Sequence, residues 1–322
     1  MLRFTVTDRD GSERELGRVL TVVLDCDVRV PADSLTLTCP YDGALRQSAD
    51  RIRAYRDGAL VFEGQLDDIS AVKRSDGAIL RLSARSPAAG LLDNEAEPVT
   101  YYNPSDSLME RRHLAPFGIR LEKCGSTPYY DALKIDKGTS HWQVLRNFCR
   151  NRYRCEPRVT GDGRAVLDGS REAGEVLFSD RGEGVVYYAL QESQKRHALL
   201  SEVRLKFRQA DTYASSIKNP NPAAAAVKRV RYVNAAADKT TVATAEQMIE
   251  TGNRNSYSLV LGCSGCHVDV LGKDAVVEDS VLGRLTGLTA EKIRYSVNRH
   301  GEQTEITLKR SGFDVADALH HQ

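Results

Sequence analysis

The sequence lacks any long apolar run. Apolar residues make up 41% of its 322 residues, yet no stretch approaches the roughly 18 consecutive apolar residues of a transmembrane helix. Residues 1–8 alternate in polarity like a strand and contain no apolar segment of the kind that a secretory signal needs. We therefore expect no membrane span and no secretory signal.

An excess of one charge is also missing. The 45 basic and 44 acidic residues leave a net charge of +1, whereas general nucleic-acid binders carry a marked basic excess. Seven cysteines in a chain of this length, without a predicted signal, fit reduced thiols in a cytoplasm. The composition therefore argues against a general nucleic-acid binder.

No local catalytic signature stands out. The H-E-x-x-H, G-x-S-x-G, P-loop and G-x-G-x-x-G patterns do not occur. Asp25 with Asp27, and Asp67 with Asp68, form close carboxylate pairs that can serve acid–base chemistry or bind Ca²⁺. On predicted strands we expect such pairs at solvated edges instead. The sequence thus predicts no catalytic residue, no cofactor and no metal site.

The sharpest exception is the segment Cys263-Ser264-Gly265-Cys266-His267. It matches the C-x-x-C-H pattern to which c-type haem is attached, and two cysteines could also form half of a zinc site. Haem attachment usually needs export, and a structural zinc ion needs four ligands. The nearest other pair, Cys149 and Cys155, has an atypical spacing. We expect the motif to be a turn at a strand end that binds nothing.

A basic cluster follows Trp142. Its members are Arg146, Arg150, Arg152 and Arg154. Such a cluster could contact nucleic acid or an acidic partner. We expect a solvated or intersubunit face instead.

The first 85 residues or so have the pattern of strands. Residues 51–70 alternate apolar and polar positions around Asp57-Gly58, which is a hairpin turn signal. Further Gly-containing turns separate short apolar segments. Several short strands with such turns predict a small barrel or sandwich.

Helical signals come next. A short helix is predicted to be capped by Ser86 and to start at Pro87. A longer helix begins at Thr139 or Ser140, and Gln143 lies at the capping-box distance from Ser140. Its apolar face is predicted to be buried and consists of Trp142, Leu145, Phe148 and Cys149.

Strand character returns at Val185. Leu200–Phe207 alternates and predicts a strand. Residues 211–226, with two prolines and an alanine run, indicate a long exposed loop. Later strands are predicted at Tyr257–Leu261, Val268–Leu271, Val281–Leu285, Lys292–Val297 and Thr304–Leu308.

These segments predict a mainly β protein with α+β character, in which two related antiparallel β-barrel domains flank a small α/β domain. The predicted parts are a first barrel at 1–88, a middle domain at 89–185, a second barrel at 186–312 and a C-terminal tail at 313–322. The barrels are predicted to be related because Arg51–Ser86 and His267–Ser311 run through the same order of strands and Gly-containing turns. Three such chains would place six barrels in a ring.

The order of these segments resembles the baseplate hub family of contractile and long-tailed phages, also called the late control protein D family, which is related to hub proteins of contractile injection systems. The resemblance covers nearly the whole chain, through patterns of apolar and turn residues rather than a catalytic signature. Residues 211–226 depart from the family pattern. The matching segments are Tyr55–Ser70, Ala78–Leu92, Gly138–Arg150, Leu200–Phe207, Thr244–Leu261 and Gly272–Arg310.

The resemblance implies a non-enzymatic structural subunit, a homotrimer whose six barrels form a pseudo-six-fold ring. Such a ring joins the tail tube to the central spike, because a six-fold tube needs an adaptor to dock a three-fold spike. The implied partners are the tail tube, the central spike, other baseplate proteins and the tape measure protein, with at most transient passage of DNA. The implied location is the tail baseplate of a virion or an injection particle, assembled in the bacterial host cytoplasm.

Two other classes of protein stay open as alternatives. A tail-associated cell-wall hydrolase would need a cleft with paired carboxylates or a Cys/His constellation, and no local pattern suggests one. A peptidoglycan-binding module would present exposed aromatic residues on one face. One tryptophan and 13 scattered tyrosines do not favour that arrangement.

Overall fold

The computed structural model describes residues 2–75, 77–125, 132–207, 210–234 and 238–310. The predicted C-terminal tail, 313–322, lies outside these ranges. No helix within them is long and apolar enough to span a membrane. Three large hydrophobic cores and one small core organise these residues.

An N-terminal β-domain is built from strands that alternate buried and exposed side chains. Its elements are β1 (Arg3–Asp8), β2 (Glu13–Glu15), β3 (Thr21–Asp27), β4 (Ser34–Pro40), α1 (Gly43–Ser48), β5 (Ala49–Arg56), β6 (Ala59–Arg74) and β7 (Gly77–Arg85). Asp57 and Gly58 have positive φ angles of 50° and 84°, as a tight hairpin turn requires. The predicted hairpin is confirmed, and it lets Phe62 enter the domain core with Leu80 and Leu82.

A middle domain of short elements follows. They are α2 (Ala89–Asp93), β8 (Thr100–Tyr102), α3 (Asp106–Met109), β9 (Arg120–Lys123), β10 (Ala132–Lys134), α4 (His141–Tyr153), β11 (Arg158–Val159) and β12 (Arg164–Val166). A π-helical turn (Glu110–Leu114) and a 3₁₀ turn (Ala115–Phe117) connect α3 to β9. The prediction that Ser86 caps α2 is wrong. The Ser86 hydroxyl accepts the Asp33 backbone N–H at 3.1 Å, and α2 has no side-chain cap.

Helix α4 confirms the strongest helical signal of the sequence. The Ser140 hydroxyl accepts the Gln143 backbone N–H at 3.2 Å, while the Gln143 side chain bonds to Asn147 and leaves the capping box half formed. Trp142 is 8% exposed and packs in the middle-domain core, as predicted. Arg154, in the left-handed conformation with φ 59°, ends the helix.

The C-terminal half combines a β-barrel with an inserted α/β unit. Its elements are β13 (Glu175–Ser179), β14 (Val185–Gln194), β15 (Glu202–Lys206), β16 (Ser215–Lys218), α5 (Pro222–Ala225), β17 (Val230–Asn234), α6 (Asp238–Ser256), β18 (Tyr257–Ser264), β19 (Asp274–Asp279), β20 (Gly283–Asn298) and β21 (Gly301–Arg310). The barrel closes in the order β13-β14-β18-β21-β20-β19, because β19 pairs with both β20 and β13. The predicted mainly β fold class is confirmed. The division of the chain at residues 88 and 185 stays a prediction, and β13 of the barrel lies before the second of these positions.

The insertion lies between β14 and β18 and corrects two predictions. Residues 211–226 contain β16 and α5 rather than one long loop. β15, expected in the barrel, pairs instead with β16 and β17 in a separate three-stranded sheet. Val203 and Leu205 alternate because they pack with Ala245 and Ile249 of α6. The alternation therefore marked a buried face without identifying what covers it.

The predicted strand Val268–Leu271 is also wrong, because Val268–Val270 forms a 3₁₀ turn. Val270 lies in the barrel core, while Val268 and Leu271 pack against both the barrel core and the core of the N-terminal β-domain. Because apolar residues of this one turn pack against two cores, they form a short apolar run in the sequence. Such a run has the same pattern as a short buried strand.

Three strands of the N-terminal β-domain recur residue by residue in the barrel. Every register pair between β6 and β7 recurs between β20 and β21 at positions 224 residues later, as Asp68–Ser83 does in Lys292–Thr307. The pairs between β18 and β21 follow those between β4 and β7 at the same offset. A constant offset over three strands indicates a duplicated unit. The comparison of residues 51–86 with 267–311 predicted this relation, but it placed a strand at the start of the second range, where the structure has a 3₁₀ turn.

The repeat extends to irregular features. β6 and β20 each contain 16 residues. Each has a bulge at its ninth residue, Asp67 in β6 and Glu291 in β20. The buried cysteines Cys39 of β4 and Cys263 of β18 are equivalent as well. Bulges are positioned features of a sheet, so their recurrence strengthens the relation between the domains.

The two domains differ in how their sheets close. In the barrel, β13 and β14 pair in parallel and complete the ring of strands. In the N-terminal β-domain, no strand ladder joins β1 to β3 within the described ranges. The second partner of β3 is instead β20 of the barrel.

Candidate assembly interfaces

The two cysteines of the C-x-x-C-H motif pack in different hydrophobic cores. Cys263 is fully buried in the barrel core, and burial raises the pKa of its thiol to about 11. Cys266 packs against the core of the N-terminal β-domain. The Nε2 atom of His267 lies 2.9 Å from the Ser264 carbonyl oxygen. Among the described residues, no group of three or more His, Cys, Asp or Glu side chains could hold a metal ion.

Three members of the predicted basic cluster make contacts inside the middle domain. Arg146 and Arg150 both donate to the Glu156 carboxylate, from Nε atoms at 3.0 and 2.7 Å. Arg152 lies 2.6 Å from an oxygen of Asp106, and both side chains of that pair are about nine-tenths buried. These ion pairs hold α4 to α3 and to the segment that follows α4.

One member of each carboxylate pair forms an ion pair with an arginine of a neighbouring strand. Asp67 accepts from the Nε atom of Arg85 at 2.7 Å. Asp25 lies 3.1 Å from Nη1 of Arg294. Both ion pairs are partly exposed. β3, which carries Asp25 and Asp27, has a partner strand on each side, so the expected sheet edge is not found there.

A groove of about 720 Å³ lies between α4 and α6. Much of its lining consists of amide and hydroxyl side chains: Asn147, Asn151, Gln247, Thr251 and Asn255. Amides form hydrogen bonds but do not supply the carboxylate pair that glycoside hydrolysis uses. The most exposed described tyrosines, Tyr102, Tyr188 and Tyr232, lie on strands of three different sheets.

The two β-domains share one strand. The first half of β20 pairs with β19 in the barrel, and its second half pairs with β3 of the N-terminal β-domain. Six register pairs form this junction, from Lys292–Asp27 to Val297–Val22. A single strand of 16 residues therefore belongs to both domains.

The apolar centre of the junction is Tyr295. This residue is fully buried, and its ring lies in the core of the N-terminal β-domain. Its hydroxyl donates to Oε1 of Glu302 at 2.6 Å. Burial and the neighbouring carboxylate both raise the pKa of the Tyr295 hydroxyl. β20 thus supplies a core residue to the domain next to its own.

A buried polar cluster marks the point where β20 passes from β19 to β3. Glu291, the bulged residue, is 6% exposed and accepts from Nε of Arg254 at 2.6 Å. Arg29 and Arg254 both approach Glu250 of α6, at 3.1 and 3.6 Å. Burial raises the pKa of Glu291 to about 8, and the nearby positive charges of Arg29 and Lys309 oppose the shift. The cluster holds α6 of the insertion against the junction.

Asp33 lies where the N-terminal β-domain meets the middle domain. It is 5% exposed, and its carboxylate accepts the Asp27 backbone N–H at 3.3 Å. Gly161, in the turn between β11 and β12, approaches so closely that a Cβ there would lie 2.7 Å from Asp33 Oδ2. The Gly161 carbonyl also accepts the Glu63 N–H of β6 at 2.9 Å. Burial raises the pKa of Asp33 to about 7, and the nearby charges of Asp27 and Asp162 add to the shift.

Two strand edges have no partner in the described part of the chain. β5 covers β6 only as far as Gln65, and no strand pairs with the same edge from Asp68 to Arg74. β13 covers β14 only at Val185 and Val186, and no strand pairs with that edge beyond them. Residues 68–74 and 188–194 include no buried side chain, whereas the equivalent parts of β20 and β3 include several.

Sequence reasoning did not identify the junction residues. Ile293 and Tyr295 alternate with Lys292 and Arg294, which indicates one buried face but not that another domain covers it. The opposite charges of Arg294 and Asp25 could have suggested a strand pair.

Comparisons with known proteins assign the fold. No family model and no curated protein matches the sequence. The tail protein from Neisseria meningitidis MC58 has 18% identity and a TM-score of 0.76, with 96% of each chain covered. The 43 kDa tail protein of prophage MuSo2 from Shewanella oneidensis has 13% identity and a TM-score of 0.75, covering 97% of this chain and 99% of that one.

A third solved structure comes from a secretion system. A component of the Escherichia coli type VI secretion system, which has structural similarity to T4 bacteriophage tail proteins, is similar to this chain at 10% identity and a TM-score of 0.57. That similarity covers 97% of this chain and 78% of the other. The chain therefore has the fold of phage tail proteins along nearly its whole length.

Proposed function

We propose that this chain is a non-enzymatic structural subunit of a phage-type tail or contractile injection particle, where it acts as a baseplate hub. Three copies form a ring of six β-domains that joins the tail tube on one side to the central spike on the other. The observation that carries the proposal is the junction of β20 with β3. It links two related β-domains and, among the residues that the structure describes, leaves an unpaired strand edge on each of them.

A chain with two different free edges is suited to head-to-tail assembly. Contacts between unlike surfaces generate rings when the rotation per copy closes, and filaments when it does not. With two equivalent domains in each chain, three copies present six similar units to a tube and three-fold symmetry to a spike. The shared fold with two tail proteins and a secretion-system component supports this class of particle.

The proposal defines the partners and the location. The ring contacts the tail tube protein, the central spike protein and other baseplate proteins, and the tape measure protein ends at it. DNA passes only transiently, and a net charge of +1 agrees with passage without strong binding. The subunit is assembled in the bacterial host cytoplasm and ends in the baseplate.

Mass photometry and negative-stain imaging test the proposal. We expect a monomer or weak trimer when the purified chain is alone, and a stable trimeric ring about as wide as a tail tube when the spike protein is added. A dimer or a tetramer as the dominant species would contradict the ring. Incubation with purified peptidoglycan should give neither released reducing ends nor pull-down, and either result would favour a wall hydrolase or a wall-binding module.

A further inference from the structure

We infer that β6 of one copy pairs with β14 of the next copy, and so repeats between chains the junction that β20 and β3 make within one chain. The inference rests on the proposed function only for the number of copies in the ring. The pairing itself follows from the repeat between the two β-domains.

The repeat identifies the two strands. β6 corresponds to β20 because both make the same register pairs with the strand that follows. β14 corresponds to β3 because Gln191–Val260 in the barrel occupies the position of Val23–Thr36 in the N-terminal β-domain. The junction strands β20 and β3 thus have β6 and β14 as their equivalents, and each of these has an edge segment without a partner strand in the described ranges.

The register within the chain fixes the register between chains. Lys292–Asp27, Arg294–Asp25 and Ser296–Val23 are partners in the junction. Shifting each residue to its equivalent gives the partners Asp68–Lys195, Ser70–Ser193 and Val72–Gln191. The first of these pairs keeps opposite charges with the signs exchanged, so the two junctions share an electrostatic pair at the same end.

The exposed edge of β6 is suited to strand addition. Val72 is 37% exposed, and residues 68–74 pair with β7 without a further bulge. The segment contains no proline that would remove a backbone donor. A long unprotected edge is a ready template for pairing with another chain. The repeat between the two β-domains identifies β14 of another copy as the strand that fits the edge of β6.

Disulfide trapping tests the register. Ser70→Cys and Ser193→Cys are combined in a Cys124→Ser background, since Cys124 is an exposed native thiol. The matched control combines Ser70→Cys with Gln194→Cys, because a slip of one residue puts the second thiol on the opposite face of the sheet. After oxidation with copper phenanthroline at increasing protein concentration, we expect linked species that end at the trimer for the first variant and none for the control.

The outcomes separate this inference from the proposed function. No linked product at any concentration, or equal product from the control, overturns the pairing of β6 with β14 even if mass photometry finds a trimeric ring. A ladder of products that continues past three copies supports the pairing and contradicts the three-copy hub.

A charge exchange gives a second test that needs no disulfide. Asp68→Lys should weaken association several-fold, because it places like charges opposite each other at Lys195. Adding Lys195→Asp should restore association by recreating the order of charges found at Lys292 and Asp27. A double variant as weak as Asp68→Lys alone would contradict the predicted contact.

Discussion

β6 and β20 are equivalent strands in two different settings. They share a length of 16 residues, a bulge at the same position and one register with the next strand. The second half of β20 lies between β21 and β3 and buries Ile293 and Tyr295. The second half of β6 has only β7 beside it in the described ranges and buries no side chain. The two strands therefore have the same geometry, and their side chains differ in burial because only β20 has a second partner strand along its second half.

The side chains at equivalent positions of β20 and β6 differ in size and in burial. Tyr295 fills the core of the adjacent domain, and its equivalent in β6 is Ala71. Ile293 is fully buried, and its equivalent Ile69 is only partly buried. A junction within one chain can bury a large aromatic permanently. A junction between copies with smaller side chains gains less from burial, which agrees with our expectation of weak association before the spike is present.

The largest effect on this comparison is expected from Tyr295→Ala. The variant removes the side chain that β20 places in the N-terminal core, and truncation of a buried aromatic costs about 3–5 kcal/mol in the free energy of unfolding. The matched variant Ala71→Ser lies at the equivalent exposed position of β6 and should change stability by less than about 0.5 kcal/mol in the monomer. Urea denaturation of both variants at low protein concentration measures the difference. A loss below about 1 kcal/mol for Tyr295→Ala would mean that the two domains do not share a core.

Asp33 provides a second contrast, which depends on pH. The residue 224 positions later is Tyr257, so one domain holds a buried carboxyl group where the other holds an aromatic ring. Burial raises the pKa of Asp33 from 3.8 to about 7. The folded protein therefore retains a proton that the unfolded chain releases. The stability that this proton supplies is complete below about pH 4 and is lost as the pH rises to about 7.

The Asp33→Asn variant removes this dependence while keeping the shape of the side chain. Because one pKa unit corresponds to about 1.4 kcal/mol, the wild type should lose up to about 3 kcal/mol relative to the variant between about pH 5 and about pH 7.5. Tyr257→Phe is the control, since the pKa of the Tyr257 hydroxyl is raised to about 12 and lies outside this window. Denaturation curves of wild type and Asp33→Asn that shift in parallel with pH would refute a protonated Asp33.

The smallest effect is expected from the equivalent cysteines. Cys39→Ala and Cys263→Ala each remove a buried thiol, at a cost of about 1–2 kcal/mol, and the two costs should be equal because the positions are equivalent. Urea denaturation combined with metal analysis measures both. If Cys263→Ala costs several times more and also releases zinc or a haem absorption band, the C-x-x-C-H segment binds a ligand, contrary to our interpretation.

The sequence predicted local elements better than their partners. The Asp57-Gly58 hairpin and the helix capped by Ser140 depend on residues a few positions apart, and the structure contains both. The strand at Val203 was predicted correctly as a strand but assigned to the wrong sheet, because alternation is the same whether a helix or a second sheet covers it. The junction joins Asp27 to Lys292, and no local pattern links residues so far apart.

β20 runs through both β-domains without a linker. Independent motion of domains needs a flexible connection with few crossing contacts, whereas bending here would have to break the six register pairs between β20 and β3. A force applied to the barrel end of β20 is transmitted to the N-terminal β-domain along one extended backbone. The hydrogen bonds to the strands on either side are then loaded in shear. We therefore expect the two domains to behave as one rigid unit. When the chain is pulled from its ends, both domains should unfold in one event rather than in two.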